Sequence, residues 1–73
     1  MKTERLVSMA NDISAFFDSD PDKAAAALKV AGHITRFWDP RMRREIIAHY
    51  REAGGAGLHP LASSAIRALA SSR

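Results

Sequence analysis

The sequence has no cysteine among its 73 residues. Without cysteine, the chain cannot form disulfide bonds, thiolate metal sites, iron–sulfur ligation or a thiol nucleophile. Small secreted domains commonly depend on disulfides for their stability. The absence therefore favours a reducing compartment, and we expect a cytoplasmic protein.

Long apolar runs are also missing. The longest is Ala24–Leu28, which is far below the roughly 20 residues that span a bilayer. Residues 1–5 include three charged side chains and lead into sequence interrupted by polar side chains, whereas a signal peptide has a continuous apolar block. We expect a soluble protein without a targeting segment and without a membrane partner.

Residue patterns for catalysis are scarce. His33, His49 and His59 fall on different predicted elements, and no HExxH pair brings two of them together for a metal. The glycine-rich residues 54–57 follow a helix rather than a strand, so they lack the context of a phosphate-binding loop. The carboxylates lie mostly at helix starts or on polar faces, where capping explains them. We predict no catalytic, cofactor-binding or metal-ligating residue, and no enzymatic activity in this chain.

Helical periodicity is what the sequence does have. Thr3 is a candidate N-cap for a first helix that ends near Asp18 and Ser19. Apolar residues then recur at spacings of three and four, as expected for one buried helix face. This predicted face consists of Leu6, Met9, Ala10, Ile13, Phe16 and Phe17.

A second helix is predicted to begin at Asp20 and Pro21, by the pattern of a capping residue followed by proline. It must stop near Trp38, because the residue before a proline disfavours the helical conformation. Its apolar stripe comprises Ala27, Leu28, Ala31, Ile34 and Trp38, widened by Val30 and Phe37. We expect so apolar a helix to lie at the centre of the domain or under another protein.

Asp39 and Pro40 repeat the start signal for a third helix, which runs to about Ala53 and ends at Gly54. Its predicted apolar side consists of Met42, Ile46, His49, Tyr50 and Ala53. A short fourth helix is marked by Leu61, Ala65, Ile66, Ala68 and Leu69. Because no alternating strand pattern occurs, we predict an all-α fold, a small compact four-helix domain covering residues 1–73.

The net charge is +3, from 11 basic and 8 acidic side chains. Arg41, Arg43 and Arg44 cluster beside Trp38, where they form a solvated face, meet an acidic protein patch, or begin a recognition helix on DNA. The corner at residues 38–40 is tighter than the usual turn of a helix–turn–helix, and the net charge is low for a phosphate-binding domain. A small DNA-binding regulator is therefore the alternative, and a self-associating helical protein is a third interpretation.

The segment Phe37–Met42 combines tryptophan, arginine and methionine, the residue types that are enriched at the centres of protein interfaces. Its structural role is to end one helix with two aromatic residues and to start the next with a capped proline. A chain this small cannot easily bury all of these aromatics. We therefore expect this corner to take part in an interface.

The same segment, with residues 6–13 before it and residues 43–46 after it, resembles the delta subunit of bacterial NAD-dependent formate dehydrogenases. The similarity covers nearly the whole chain and includes the sequence Gly57–Leu61. The corner sequence FWDPRMR is its most specific part. The alanine-rich residues 24–27 contribute nothing to it.

The resemblance implies an accessory role. In such enzymes other subunits carry a molybdenum or tungsten pterin, iron–sulfur clusters, flavin and NAD, and the delta subunit is associated with assembly, maturation or stability of the complex. It implies no catalytic residue here, and partners that are larger subunits or maturation factors of formate dehydrogenase. The predicted partner-binding residues are those of the corner: Phe37, Trp38, Asp39, Pro40, Arg41, Met42, Arg43 and Arg44.

Overall fold

Four helices account for most of residues 2–71, the part of the chain that the computed structural model describes. They are α1 (Thr3–Phe17), α2 (Lys23–Phe37), α3 (Pro40–Ala53) and α4 (Pro60–Ser71). No strand occurs in residues 2–71. The prediction of an all-α fold with four helices is confirmed.

Two predicted N-caps are wrong, at the starts of the first and second helices. Lys2 occupies the cap position of α1 without a side-chain cap, while the Thr3 hydroxyl donates to Glu45 on α3 at 3.1 Å. Asp22, not Asp20, caps α2 by accepting from the Ala25 N–H at 3.1 Å. Asp20 instead accepts from the Asp22 N–H at 2.9 Å, because Pro21 lies in the turn before the helix rather than in its first turn.

The helices pack around one core, in which α2 makes its most extensive contact with α4. Both α2 and α3 also pack against α1, whereas α2 and α3 hardly contact each other. The buried apolar residues are Leu6, Ala10, Ala26, Ala27, Val30, Ala31, Ile34, Trp38, Ile46, Leu61, Ala62, Ala65 and Ile66. Small alanines on α2 and α4 allow these two helices to approach closely, so the core is continuous despite the shortage of large side chains.

Parts of the predicted buried faces are wrong. Phe16 is 80% exposed and Leu28 is 67% exposed, whereas Val30 is fully buried. At about 100° per residue, Leu28 lies about 130° from the middle of the buried arc of α2, which is centred between Val30 and Ile34. On α1 the unexpected core residue is Ser14, whose hydroxyl is satisfied by donating to the Asn11 carbonyl at 2.9 Å.

The connection between α3 and α4 is held to α1 by one side chain. Gly54 ends α3 in the left-handed conformation with φ 65°, as predicted. The Asn11 amide then donates to the Gly57 carbonyl at 2.9 Å and accepts from the His59 N–H at 2.8 Å. Gly57 has φ 86°, and a Cβ there would lie 3.3 Å from the Val7 side chain. Asn11 therefore fixes the position at which α4 begins.

Within residues 2–71, no helix combines the length and the apolar character needed to cross a bilayer.

Candidate protein-interaction surface

The corner between α2 and α3 is closed by its own backbone and side chains. Asp39 has extended backbone angles, as a residue before proline requires, and its carboxylate accepts from the Met42 N–H at 2.9 Å. Pro40 occupies the first turn of α3, where its missing N–H costs no hydrogen bond. The predicted start of the third helix is confirmed at both residues.

The two aromatic residues of the corner face opposite environments. Trp38 is only 4% exposed and belongs to the core, whereas its neighbour Phe37 is 70% exposed. The expectation that this small chain cannot bury the corner aromatics is therefore wrong for Trp38, because the four helices leave space for its indole at the end of α2. Met42 is half-buried against the same core. Only Phe37 presents a large apolar surface to solvent here.

Arg43 has a partner within the chain. Its guanidinium donates to the carbonyls of Thr35, at 3.2 Å, and Trp38, at 2.5 Å. Thr35 lies in the last turn of α2 and Trp38 is its C-cap residue, so no further helical N–H group satisfies these carbonyls. Arg43 therefore caps the C-terminal end of α2, and its positive charge interacts favourably with the negative end of that helix dipole.

The remaining basic residues of the corner, Arg41 and Arg44, are exposed. The cluster that the sequence suggested is thus divided into one structural arginine and two surface arginines. A helix–turn–helix also needs its two helices packed on each other, whereas α2 and α3 make little contact. No observation on the described residues favours the DNA-binding alternative.

A shallow groove runs along the solvent-exposed part of α2, beside the end of α1. It is lined by Phe17, Leu28, Lys29, Gly32, His33, Arg36 and Phe37. Leu28 and Phe37 are two of the three large hydrophobic residues that are exposed in the described chain. We call this feature the outer groove. Its exposed apolar side chains make it a candidate surface for protein contact.

The floor of the outer groove is Gly32, which lies in the interior of α2. A Cβ built on Gly32 would meet no other atom of the chain within 4 Å. Glycine in a helix interior costs about 0.5–1 kcal/mol relative to alanine. No contact within the described chain requires this glycine, although its missing side chain is what keeps the groove open.

The rim of the groove is basic. Lys29 donates to the Asp20 carboxylate at 2.9 Å, and this hydrogen bond is the main reason that the pKa of Asp20 is lowered from its ordinary value of 3.8. Arg36 takes part in neither of the two ion pairs found in residues 2–71, which are Lys29–Asp20 and Lys23–Asp18. None of the residues that line the groove is acidic. Lys29 is already paired with Asp20, so the groove attracts negative charge mainly at Arg36.

The three histidines are far from forming a common site. The His33 ring packs against the Phe37 ring with centroids 4.7 Å apart, His49 hydrogen-bonds to the Ala56 carbonyl at 2.8 Å, and His59 is exposed before α4. In residues 2–71 there is no group of three histidine, aspartate or glutamate side chains that could hold a metal ion. With no cysteine in the sequence, these residues do not fit an iron–sulfur cluster or a metal centre.

Sequence reasoning missed the outer groove. It assigned Leu28 to the buried stripe and gave Gly32 no role. A helical wheel centred on Val30 and Ile34 would have separated Leu28 from the core, since Leu28 lies about 130° from the middle of the buried arc. Phe37 lies within the buried arc on such a wheel, so the sequence offers no signal for its exposure.

The segments that carry the family resemblance contact one another and hold the fold together. Asn11, from the opening segment, binds the backbone of the segment Gly57–Leu61. In the corner segment, Trp38 fills the core, Asp39 caps α3 and Arg43 closes α2. These segments therefore specify the helix arrangement.

A family model for the NADH-dependent formate dehydrogenase delta subunit, FdsD, matches residues 5–66. No curated protein and no solved structure gives a significant match. The matched range includes the opening segment, the corner and the connection to α4. The chain therefore belongs to the FdsD family of formate dehydrogenase delta subunits.

Proposed function

We propose that this chain is a non-catalytic accessory subunit that assists the assembly, maturation or stability of a cytoplasmic NAD-dependent formate dehydrogenase. The match of residues 5–66 to the delta-subunit family carries this proposal. The molybdenum or tungsten pterin, the iron–sulfur clusters, the flavin and the NAD site belong to other subunits. The absence of cysteine from this chain is consistent with that division.

The physical mechanism is helix-mediated contact with a larger subunit or a maturation factor. A protein that binds only the assembled conformation of its partner stabilises that conformation by mass action. Exposed apolar side chains on α2 provide surface that becomes buried on binding. Surface arginines orient the chain toward acidic groups of the partner during the encounter. The same physics applies to a permanent subunit and to a transient assembly factor.

Within this proposal the corner is one contact region. Phe37, Arg41 and Arg44 are its exposed members that reach a partner, together with Pro40 and the solvent side of Asp39. Trp38, Met42 and Arg43 contribute by holding these residues in position, since their own contacts lie inside the chain. The corner thus acts as a rigid edge rather than as a flexible arm.

Capture of the partners tests the proposed function. The tagged chain is recovered under mild conditions from its own cells grown on formate, and the bound proteins are identified by mass spectrometry. We expect the molybdopterin subunit with the iron–sulfur and flavin subunits for a lasting component, and maturation factors for an assembly chaperone. Recovery of the chain alone, or with DNA, would contradict the proposal.

Charge reversal tests the corner contact separately. The double variant Arg41→Glu, Arg44→Glu is expected to lower recovery of the larger subunits, with a larger effect at low salt because these charges act over distance. Arg5→Glu, Arg67→Glu is the matched control, since it reverses the same number of charges at exposed arginines on α1 and α4. Equal recovery for both variants would exclude the corner arginines from the contact.

A further inference from the structure

The outer groove on α2 has three features that its own chain leaves unexplained. Leu28 and Phe37 lie at its two ends and are 67% and 70% exposed. Gly32 leaves its floor open where no residue of the chain needs the space. Arg36 lies on its rim and belongs to neither ion pair of residues 2–71, while Lys29 beside it is paired with Asp20. These features lie together in one groove along the solvent-exposed part of α2, beside Phe17 at the end of α1.

We infer that the outer groove is the docking site for an acidic amphipathic segment of a larger formate dehydrogenase subunit. This inference rests on the proposed function and specifies its contact surface. An apolar side chain of the partner enters beside Gly32, between Leu28 and Phe37. A carboxylate on the same segment faces Arg36, because an acidic group complements the rim cation that has no ion pair in residues 2–71.

A protein segment fits this surface better than a small molecule does. Small-molecule sites commonly bury 70–90% or more of their ligand, whereas the outer groove is a shallow depression that is open to solvent along α2. Close approach at a glycine is a typical way for an external backbone or helix to pack against a helix. The open floor at Gly32 therefore favours a macromolecular partner.

A second copy of this chain is the less favourable occupant. In a symmetric dimer the same patch meets itself, so the Arg36 side chains of both copies would be brought toward each other. Such like-charge contacts oppose association, and each copy carries a net charge of +3. An acidic partner has the opposite effect, since it is attracted by the same rim.

The substitution Gly32→Leu separates binding from folding. Leucine favours the helix more than glycine does, and the chain offers no clash at this position. We expect the melting temperature of the isolated protein to rise by about 2–8 °C. The dissociation constant for the larger subunits should rise by about tenfold or more, because the added side chain fills the groove.

Ala48→Leu is the matched control. It adds a leucine at an exposed position of α3, outside the groove. Tagged wild-type, Gly32→Leu and Ala48→Leu chains are each co-produced with the molybdopterin, iron–sulfur and flavin subunits, and the ratio of captured subunits is measured. The inference predicts normal capture by Ala48→Leu and loss of capture by Gly32→Leu despite its higher melting temperature.

The outcomes distinguish the inference from the proposed function. If Gly32→Leu captures the larger subunits as well as the wild type does, the groove is not the docking site, while the accessory function stands. If the wild type captures none of them, the proposed function fails and the inference fails with it. A drop in the melting temperature of Gly32→Leu would show that the glycine serves the fold and would overturn the argument.

A photo-crosslinking residue at position 28 identifies the occupant. In the co-produced complex we expect a crosslink to a segment of a larger subunit that has carboxylates beside an apolar face. A crosslink between two copies of this chain would overturn the choice of partner. A crosslink to a basic segment would contradict the role assigned to Arg36.

Discussion

The buried face of α2 and the outer groove both contain apolar side chains, yet they differ in what covers them. The buried face places Ala26, Val30 and Ile34 in the core, where none of them is exposed to solvent. The outer groove leaves Leu28 and Phe37 mostly exposed on either side of Gly32. Apolar character alone therefore does not distinguish a stabilising surface from a binding surface. The distinction comes from which neighbouring helix reaches each face.

The adjacent aromatics at the end of α2 provide the largest test of this comparison. Trp38→Ala is expected to lower the free energy of unfolding by about 3–5 kcal/mol, because it leaves a cavity in the core. Phe37→Ala should change it by less than about 0.5 kcal/mol, since Phe37 is exposed. Urea denaturation followed by far-UV circular dichroism measures both without depending on tryptophan fluorescence. Similar losses for the two variants would contradict the division between the faces.

The arginines of the corner give a smaller contrast of the same kind. Arg43→Ala is expected to destabilise the protein by about 1–2 kcal/mol, since two carbonyls at the end of α2 lose a charged donor. Arg44→Ala should have an effect within about 0.5 kcal/mol, because Arg44 is exposed. Thermal denaturation of the two variants checks the difference. If Arg44 were the more important residue for stability, the assignment of Arg43 to the helix end would be wrong.

The ion pair between Lys29, on the rim of the outer groove, and Asp20 gives the smallest expected effect on stability. This effect depends on pH. The pKa of Asp20 is lowered, chiefly by its hydrogen bond from Lys29. A lowered pKa in the folded state contributes stability above the ordinary value of 3.8 that is lost as the pH falls through the folded-state pKa. The melting-temperature difference between wild type and Asp20→Asn should therefore shrink as the solution is acidified below that value.

Lys29→Gln is the control for this titration, because it removes the main cause of the shift while leaving the Asp20 carboxylate in place. Substitution of Asp20 in the Lys29→Gln background should give a weaker pH dependence than it gives in the wild type. The effect is also expected to decrease with added salt, since the pair is at the surface. A difference that grows on acidification would reverse the sign of the argument.

The fold was largely predictable from the sequence because its local signals agree with one another. Asp39, Pro40 and Gly54 mark helix ends by backbone chemistry that needs no tertiary information, and the structure uses all three as predicted. The predicted start of α2 was two residues too early, because Asp20 and Asp22 are equally good capping residues on either side of Pro21. Only the actual turn geometry selects between them.

The candidate surface was less predictable because it depends on packing between helices. Whether Trp38 is buried is decided by the space that four helices leave together, and the exposure of Phe37 depends on the same arrangement. The role of Arg43 depends on how close α3 brings it to the carbonyls that end α2. The sequence places these residues on the corner but does not give the direction of their side chains, so the predicted contacts of the corner stay predictions.

The packing of α2 against α4 also affects the order in which the protein can fold. During synthesis α1, α2 and α3 emerge before α4, so the largest helix contact in the chain forms last. Until then Val30 and Ile34 lack part of their cover, while Leu28 and Phe37 are exposed in any case. Both faces of α2 are then open to unwanted association. During that interval this chain, which we propose assists the assembly of other proteins, itself exposes the kind of apolar surface that chaperones bind.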